Sequence, residues 1–213
     1  MKANPIKSRS LIMILMVICG PMGFVSCNDE AITAVDDERL RSYELIALQW
    51  KLSSGDGQII VEKKLPEYHF RNDSDTIVEV IIEPLKHLEG SSRFTFNDSL
   101  TYAKLNYPEI QVSIPKELSL LSEKYGYLSG GIKAPLRQEE SFFPFSSYIK
   151  KSFALTKKTM LTTHYTIYLR ENKATFLATF KETTTGETLD LDGTWTGLFF
   201  NHSEAASLIE DIE

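Results

Sequence analysis

Cysteine is almost absent from this chain. Only Cys19 and Cys27 occur in 213 residues, so the sequence beyond residue 27 has no disulfide, thiol nucleophile or cysteine-ligated metal. Packing and sheet hydrogen bonds must hold it together. Histidine is also scarce. His69, His87, His164 and His202 lack the close spacing of a metal-binding pair, and none stands in a nucleophile motif. Gly130-Gly131 is followed by Ile132-Lys133-Ala134 and so lacks the glycine–lysine–hydroxyl order that a phosphate loop requires. No catalytic residue, metal or cofactor is therefore expected, and the chain reads as a non-enzyme. Basic surplus is missing as well: 23 Lys and Arg face 29 Asp and Glu, which opposes nucleic-acid binding. Strand–helix alternation and repeats of 20 to 50 residues are absent too, and with them a parallel sheet or a solenoid.

What is present begins with a basic, acid-free start (Lys2, Lys7, Arg9) and the apolar run Leu11–Cys19, broken by Gly20-Pro21. The run is shorter than the roughly 20 residues a spanning helix needs, and with small Ser26 before a cut it describes a secretory signal. Phe24-Val25-Ser26-Cys27 resembles the lipobox of bacterial lipoproteins, with Phe24 where that motif usually has Leu. The resemblance implies removal of residues 1–26 and acylation of Cys27, palmitate included, as an anchor that does not span the membrane. Acyl chains contribute about 0.8 kcal/mol per buried methylene, so a multiply acylated cysteine holds stably. Losing the three basic residues of the signal leaves 20 bases against 29 acids, or −9. Asn28-Asp29-Glu30 resembles the surface-export signal of lipoproteins in some Gram-negative phyla. It favours the outer-membrane cell surface over the periplasmic face. Asp75-Thr76-Ile77 and Asp98-Ser99-Leu100 match the short acid–hydroxyl–apolar pattern of O-glycosylation in such bacteria.

Residues 27–43 read as a tether with a possible short helix, as acids cluster from Asp36 and Leu40, Tyr43 and Leu45 fall near helical spacing. Residues 44–202 read as a mainly β, antiparallel domain. Leu45, Ala47 and Trp50–Leu52, the turn Ser53–Gly57 and a strand over Gln58–Lys64 predict a hairpin. Thr76–Glu83 (TIVEVIIE) is nearly all β-branched and is stopped by Pro84. Shorter strands follow at Arg93–Phe96 and Glu109–Ile114. Alternating strands return at Thr159–Arg170, Lys173–Phe180 and Thr188–Phe200. Residues 203–213 read as an acidic tail, helical or frayed.

Trp50, Trp195, Phe143 and Tyr148 are candidate stacking residues for a glycan or protein ligand, although aromatics more often fill cores. Asp190 and Asp192 alternate on one strand face near Trp195, as a sugar site or a solvated strand face would place them. His164, beside Tyr165, reads as structural.

Three stretches resemble the aerolysin-type pore-forming fold of the epsilon-toxin/mosquitocidal-toxin family. They are Arg71–Val80 (RNDSDTIVEV), Gln111–Leu118 (QVSIPKEL) and Thr163–Gly197, which ends in Gly193-Thr194-Trp195-Thr196-Gly197. The resemblance implies an elongated antiparallel β architecture, self-oligomers and hairpins inserted together as a β-barrel. Phe94–Gly130 corresponds to the inserting stretch. It contains Pro108 and Pro115 and lacks the clean alternation of a spanning strand.

Overall fold

The computed structural model describes residues 41–145 and 147–212. The first strands in chain order are β1 (Tyr43–Lys51), β2 (Gly57–Lys64), β3 (Tyr68–Asn72), β4 (Val78–Ile82) and β5 (Glu89–Phe96). A six-residue helix α1 (Ser99–Lys104), β6 (Gln111–Ser113), a 3-10 turn (Leu118–Leu120), β7 (Gly126–Tyr127), β8 (Lys133–Pro135) and β9 (Ser141–Pro144) follow. The chain then enters β10 (Lys151–Leu155), β11 (Thr159–Glu182) and β12 (Thr188–Asp211). Among the described residues every pairing between these strands is antiparallel; one isolated bridge, Ser42 to Asn106, is parallel.

The two last strands are the frame. Each has 24 residues, about 80 Å of extended chain. The two strands expected at Thr159–Arg170 and Lys173–Phe180 are one strand, because Glu171-Asn172 between them stays in the ladder opposite Leu198 and Gly197. Along the other side of β11, the chain from 43 to 72 runs as a single broken strand. β1 pairs with Thr175–Glu182, β2 with Thr166–Lys173 and β3 with Thr159–Thr163. The hairpin expected of β1 and β2 therefore does not form. Asp56 is the cause: its carboxylate accepts from Ser53 N (2.8 Å) and from Thr175 Oγ1 (2.7 Å), which folds the turn back onto β11. The chain continues forward instead of reversing.

β11 buries opposite faces in its two halves. Odd residues are buried from Thr159 to Leu169, and even ones from Asn172 to Glu182. The even face of the inner half carries the larger core, which includes Trp50, Phe94, Phe96, Phe176, Phe180 and Trp195. Edge-on aromatic contacts fill it: Trp50 and Trp195 centroids are 5.5 Å apart at 79°, Phe94 and Phe176 5.3 Å at 77°. The odd face of the outer half is covered by the β4–β10 pair, through Val80, Ile82, Leu155, Leu161 and Tyr165. Beside it, Leu85 packs on Ile167 and Leu169. The crossover point is tied down by Asn172, which donates through Nδ2 to the carbonyls of Pro115 (3.2 Å) and Lys116 (2.9 Å). At the far end, Asn72 Nδ2 lies 2.8–3.1 Å from the carbonyls of Thr76, Leu155 and Thr156, joining β3 to the approach to β4 and the end of β10.

Two further expectations are corrected. Residues 203–211 are neither helix nor frayed tail but the outer part of β12, paired with Thr159–Ile167. Helix preferences of a few tenths of a kcal/mol per residue yield to a ladder offered by a strand already held on its other side. Phe94–Gly130 contains no hairpin, since β5, β6 and β7 pair with β9 and β12, β8, and β1 respectively. Phe94, Phe96, Val112, Ile114 and Leu118 are buried in the larger core, so apolar packing uses the side chains an inserting strand would turn to lipid. The expected short helix of the tether falls mainly on residues outside the described ones; Tyr43 onward is strand.

Candidate functional site

The four candidate stacking residues separate. Trp50 (1% exposed) and Trp195 (0%) are core. A stacking platform needs an open ring face, so neither supplies one. Trp195 Nε1 donates to Ser92 Oγ at 2.8 Å, the partner a buried indole requires. Asp190 and Asp192 are exposed, on the face of β12 opposite the buried Trp195. Asp192 accepts from Asn97 Nδ2 at 2.6 Å. Phe143 is half-buried against Phe199, centroids 5.7 Å apart. Only Tyr148 stands open, at 73% exposure. Cys27 lies outside the described residues.

Tyr148 stands at the mouth of a cavity of about 290 Å³, between the turn after β4 and the segment after β9. Leu85, Leu88, Phe145 and Ile149 make its apolar wall, and Glu83, Lys86 and Glu89 its polar rim. Proline 84 ends β4, and the turn behind it closes through Lys86 N–Glu83 O (3.1 Å) and Leu88 N–Leu85 O (3.1 Å). That turn aims Leu85 and Leu88 at β11. Phe145 rests on Phe200 (centroids 5.9 Å apart), so the wall is built on the long strands. The Tyr148 hydroxyl donates to Glu83 Oε1. This bond, with Lys86 and Lys150 nearby, holds the Glu83 carboxyl below its ordinary range and raises the Tyr148 hydroxyl above its own.

A second surface is the outer ribbon formed by β2–β3, β11 and residues 199–211 of β12. Among the described residues, no strand pairs with the outer edge of β2, β3 or that part of β12. Its even face is open. Glu67 lies 3.2 Å from His69 Nε2 and 3.3 Å from His164 Nδ1. Tyr168 stacks on His202 (4.3 Å between centroids, 9° between planes) and donates to Glu204 Oε2 at 3.3 Å. Two cross-strand rows, Lys64–Thr166–Glu204 and Arg71–Met160–Glu210, have a base at one edge and an acid at the other, whereas Glu62–Tyr168–His202 runs the opposite way. Lys64 lies 3.9 Å from Glu62 and Arg71 2.7 Å from Asp73 on the same edge. Sequence reading missed this, because the rows exist only once residues 203–211 are strand. The alternation of Met160, Thr162, His164, Thr166 and Tyr168 with buried neighbours was its one visible sign.

Among the described residues, no group of three His, Cys, Asp or Glu is placed to hold a metal ion, and no helix is long and apolar enough to cross a membrane.

No family model and no curated protein matches the chain. Solved structures do. A lamprey immune protein is similar with TM-score 0.47 and 12% identity over 80% of this chain, which spans 54% of that protein's length. Parasporin-2, a Bacillus thuringiensis toxin that recognizes cancer cells, gives 0.40 and 9% over 80% of this chain and 75% of its own. An aerolysin-like protein of Bombina maxima gives 0.32 and 14% over 79% and 97%. With TM-scores below 0.5, none of these carries a ligand, partner or activity to this chain. The chain is a mainly β, antiparallel protein similar to structures of aerolysin-like and parasporin type.

Proposed function

We propose that this chain is a non-enzymatic protein tethered at the outer membrane through acylated Cys27, facing the cell surface, that assembles edge to edge and damages membranes. The observation that carries this reading is the outer ribbon with two open edges, which set a base opposite an acid in the Lys64–Glu204 and Arg71–Glu210 rows. An open edge presents unpaired N–H and C=O groups to another chain. β2–β3 and β12 both run antiparallel to β11, so β12 of one copy beside β2–β3 of the next forms a parallel pair. In that register Glu204 meets Lys64 and Glu210 meets Arg71. Such a contact is head-to-tail and generates a ring or an open chain of copies.

Membrane damage draws on the outer half of β11. Along Thr159–Arg170 one face carries Leu161, Tyr165, Ile167 and Leu169 with Thr159 and Thr163 among them, and the other carries Thr162, His164, Thr166 and Arg170 with Met160 and Tyr168. From Thr163 onward that approaches the alternation, and over its length the roughly 9 to 11 residues, that a spanning β-strand needs. The short β4–β10 pair covers the apolar face and would have to move aside.

The test is charge exchange across the edges. The full chain is assayed for oligomers by sedimentation and for dye release from liposomes. Lys64→Glu and Glu204→Lys each weaken assembly about tenfold, a like-charge contact replacing an attraction worth up to about 1 kcal/mol. An equimolar mixture of the two regains it, because each reversed edge finds its complement. Wild-type protein that stays monomeric and releases no dye at any concentration ends the proposal. Mass spectrometry of an unmodified Cys27 thiol, or resistance of the chain on whole cells to external protease, removes the tether or the surface placement separately.

A further inference from the structure

We propose that the cavity beside Tyr148 is a binding site for one neutral pyranose ring of a glycan. This goes beyond edge assembly and stands on different residues. The Tyr148 ring is 73% exposed yet fixed, because its hydroxyl is held by Glu83. An open aromatic face with its rotation already restricted suits stacking under the C–H face of a sugar, with little ordering left to do on binding. The chemistry of the rim selects among small ligands. Glu83 and Glu89 supply acceptors and Lys86 supplies donors, with Lys86 Nζ 3.8 Å from Glu83 Oε2.

Anionic groups such as phosphate or sulfate meet two carboxylates. A cationic ligand meets Lys86, with Lys150 also acting on Glu83. A neutral polyhydroxyl ligand can use both signs at once. Size points the same way: about 290 Å³ lies at the lower end of ligand pockets, which run from roughly 300 to 1,000 Å³. It admits one ring and leaves the rest of a glycan in solvent. The apolar wall of Leu85, Leu88 and Phe145 suits a deoxy or acetamido methyl group better than a further hydroxyl.

The experiment is saturation-transfer NMR on the full chain in detergent, with glucose, galactose, fucose and N-acetylglucosamine, and with sialic acid and glucosamine as charged arms. Transfer is expected to the ring C–H protons of at least one neutral sugar, and to neither charged one more strongly. Tyr148→Ala lowers affinity tenfold or more. Tyr148→Phe, which keeps the ring and loses its tether to Glu83, lowers it a few-fold. Leu88→Trp fills the cavity and abolishes transfer, whereas Phe142→Ala, an exposed aromatic outside the cavity, changes nothing. No transfer from any neutral sugar overturns the site. So does a preference for sialic acid or glucosamine, or transfer that survives both Tyr148→Ala and Leu88→Trp in variants with wild-type melts.

Discussion

Gly193 and Gly197 flank Trp195 on the buried face of β12, and replacing either by alanine tests whether the larger core is packed as described. A Cβ at Gly197 falls 2.3 Å from Trp195 Cζ2 and 2.5 Å from Cη2. That indole is fully buried and tied to Ser92, so it cannot swing away. At Gly193 the Cβ falls 2.2 Å from the Thr95 carbonyl oxygen of β5, and a paired backbone must shift. Overpacking a filled core by one methyl costs typically about 1–3 kcal/mol, and both sites belong at the upper end, with Gly193 the worse. For a domain of this size about 1 kcal/mol moves the melting midpoint by 2–4 °C, so Gly193→Ala and Gly197→Ala lower it by roughly 5–10 °C. Gly126→Ala is the control: nothing lies within 4 Å of its Cβ, and the change stays within about 1 kcal/mol, stabilising if anything. Urea and thermal melts followed by near-ultraviolet circular dichroism read all three. Midpoints for Gly193→Ala and Gly197→Ala that match Gly126→Ala would refute the packing argument.

Ser92→Ala leaves the buried Trp195 N–H without its acceptor and costs about 1–3 kcal/mol in urea melts; loss of stability below about 0.5 kcal/mol would mean the bond contributes nothing. Asn172→Ala frees the Pro115-Lys116 carbonyls from β11 and costs a similar amount, with hydrogen exchange rising first in residues 111–120. Glu182 is held low, at about 2, by the Thr185 side chain and by the N–H groups of Thr185 and Thr184. A carboxyl depressed from 4.5 stabilises the fold above its unfolded pKa and ceases to as pH falls through the folded one. Stability should therefore hold from neutral pH to about 4.5 and decline between there and about 2, and Glu182→Gln should flatten the decline.

The strand class was legible because hydrophobic alternation is a local property. Tyr165, Ile167 and Leu169 announce a strand wherever it lies. What pairs with what was not legible. Asp56 turns β1 onward into β2 by bonding to Thr175, a contact across 119 residues that no turn composition reveals. Residues 203–211 carry no strand signal of their own and are extended because β11 is there to meet them. The ligand surface failed for a related reason: burial, not residue type, separates Trp50 and Trp195 from Tyr148. Burial follows from topology, and so the cavity beside Tyr148 came into view only with the fold.

Since β11 belongs to one core at one end and to another on its reverse side at the other, its amide protons should keep two clocks. Deuterium should enter Met160–Thr166, beneath the small β4–β10 cover, well before it enters Thr175–Phe180 under the aromatic core. A bilayer or a second copy could then remodel the loose end while the tight end remains native. Refolding afterwards would start from a template that had never been lost.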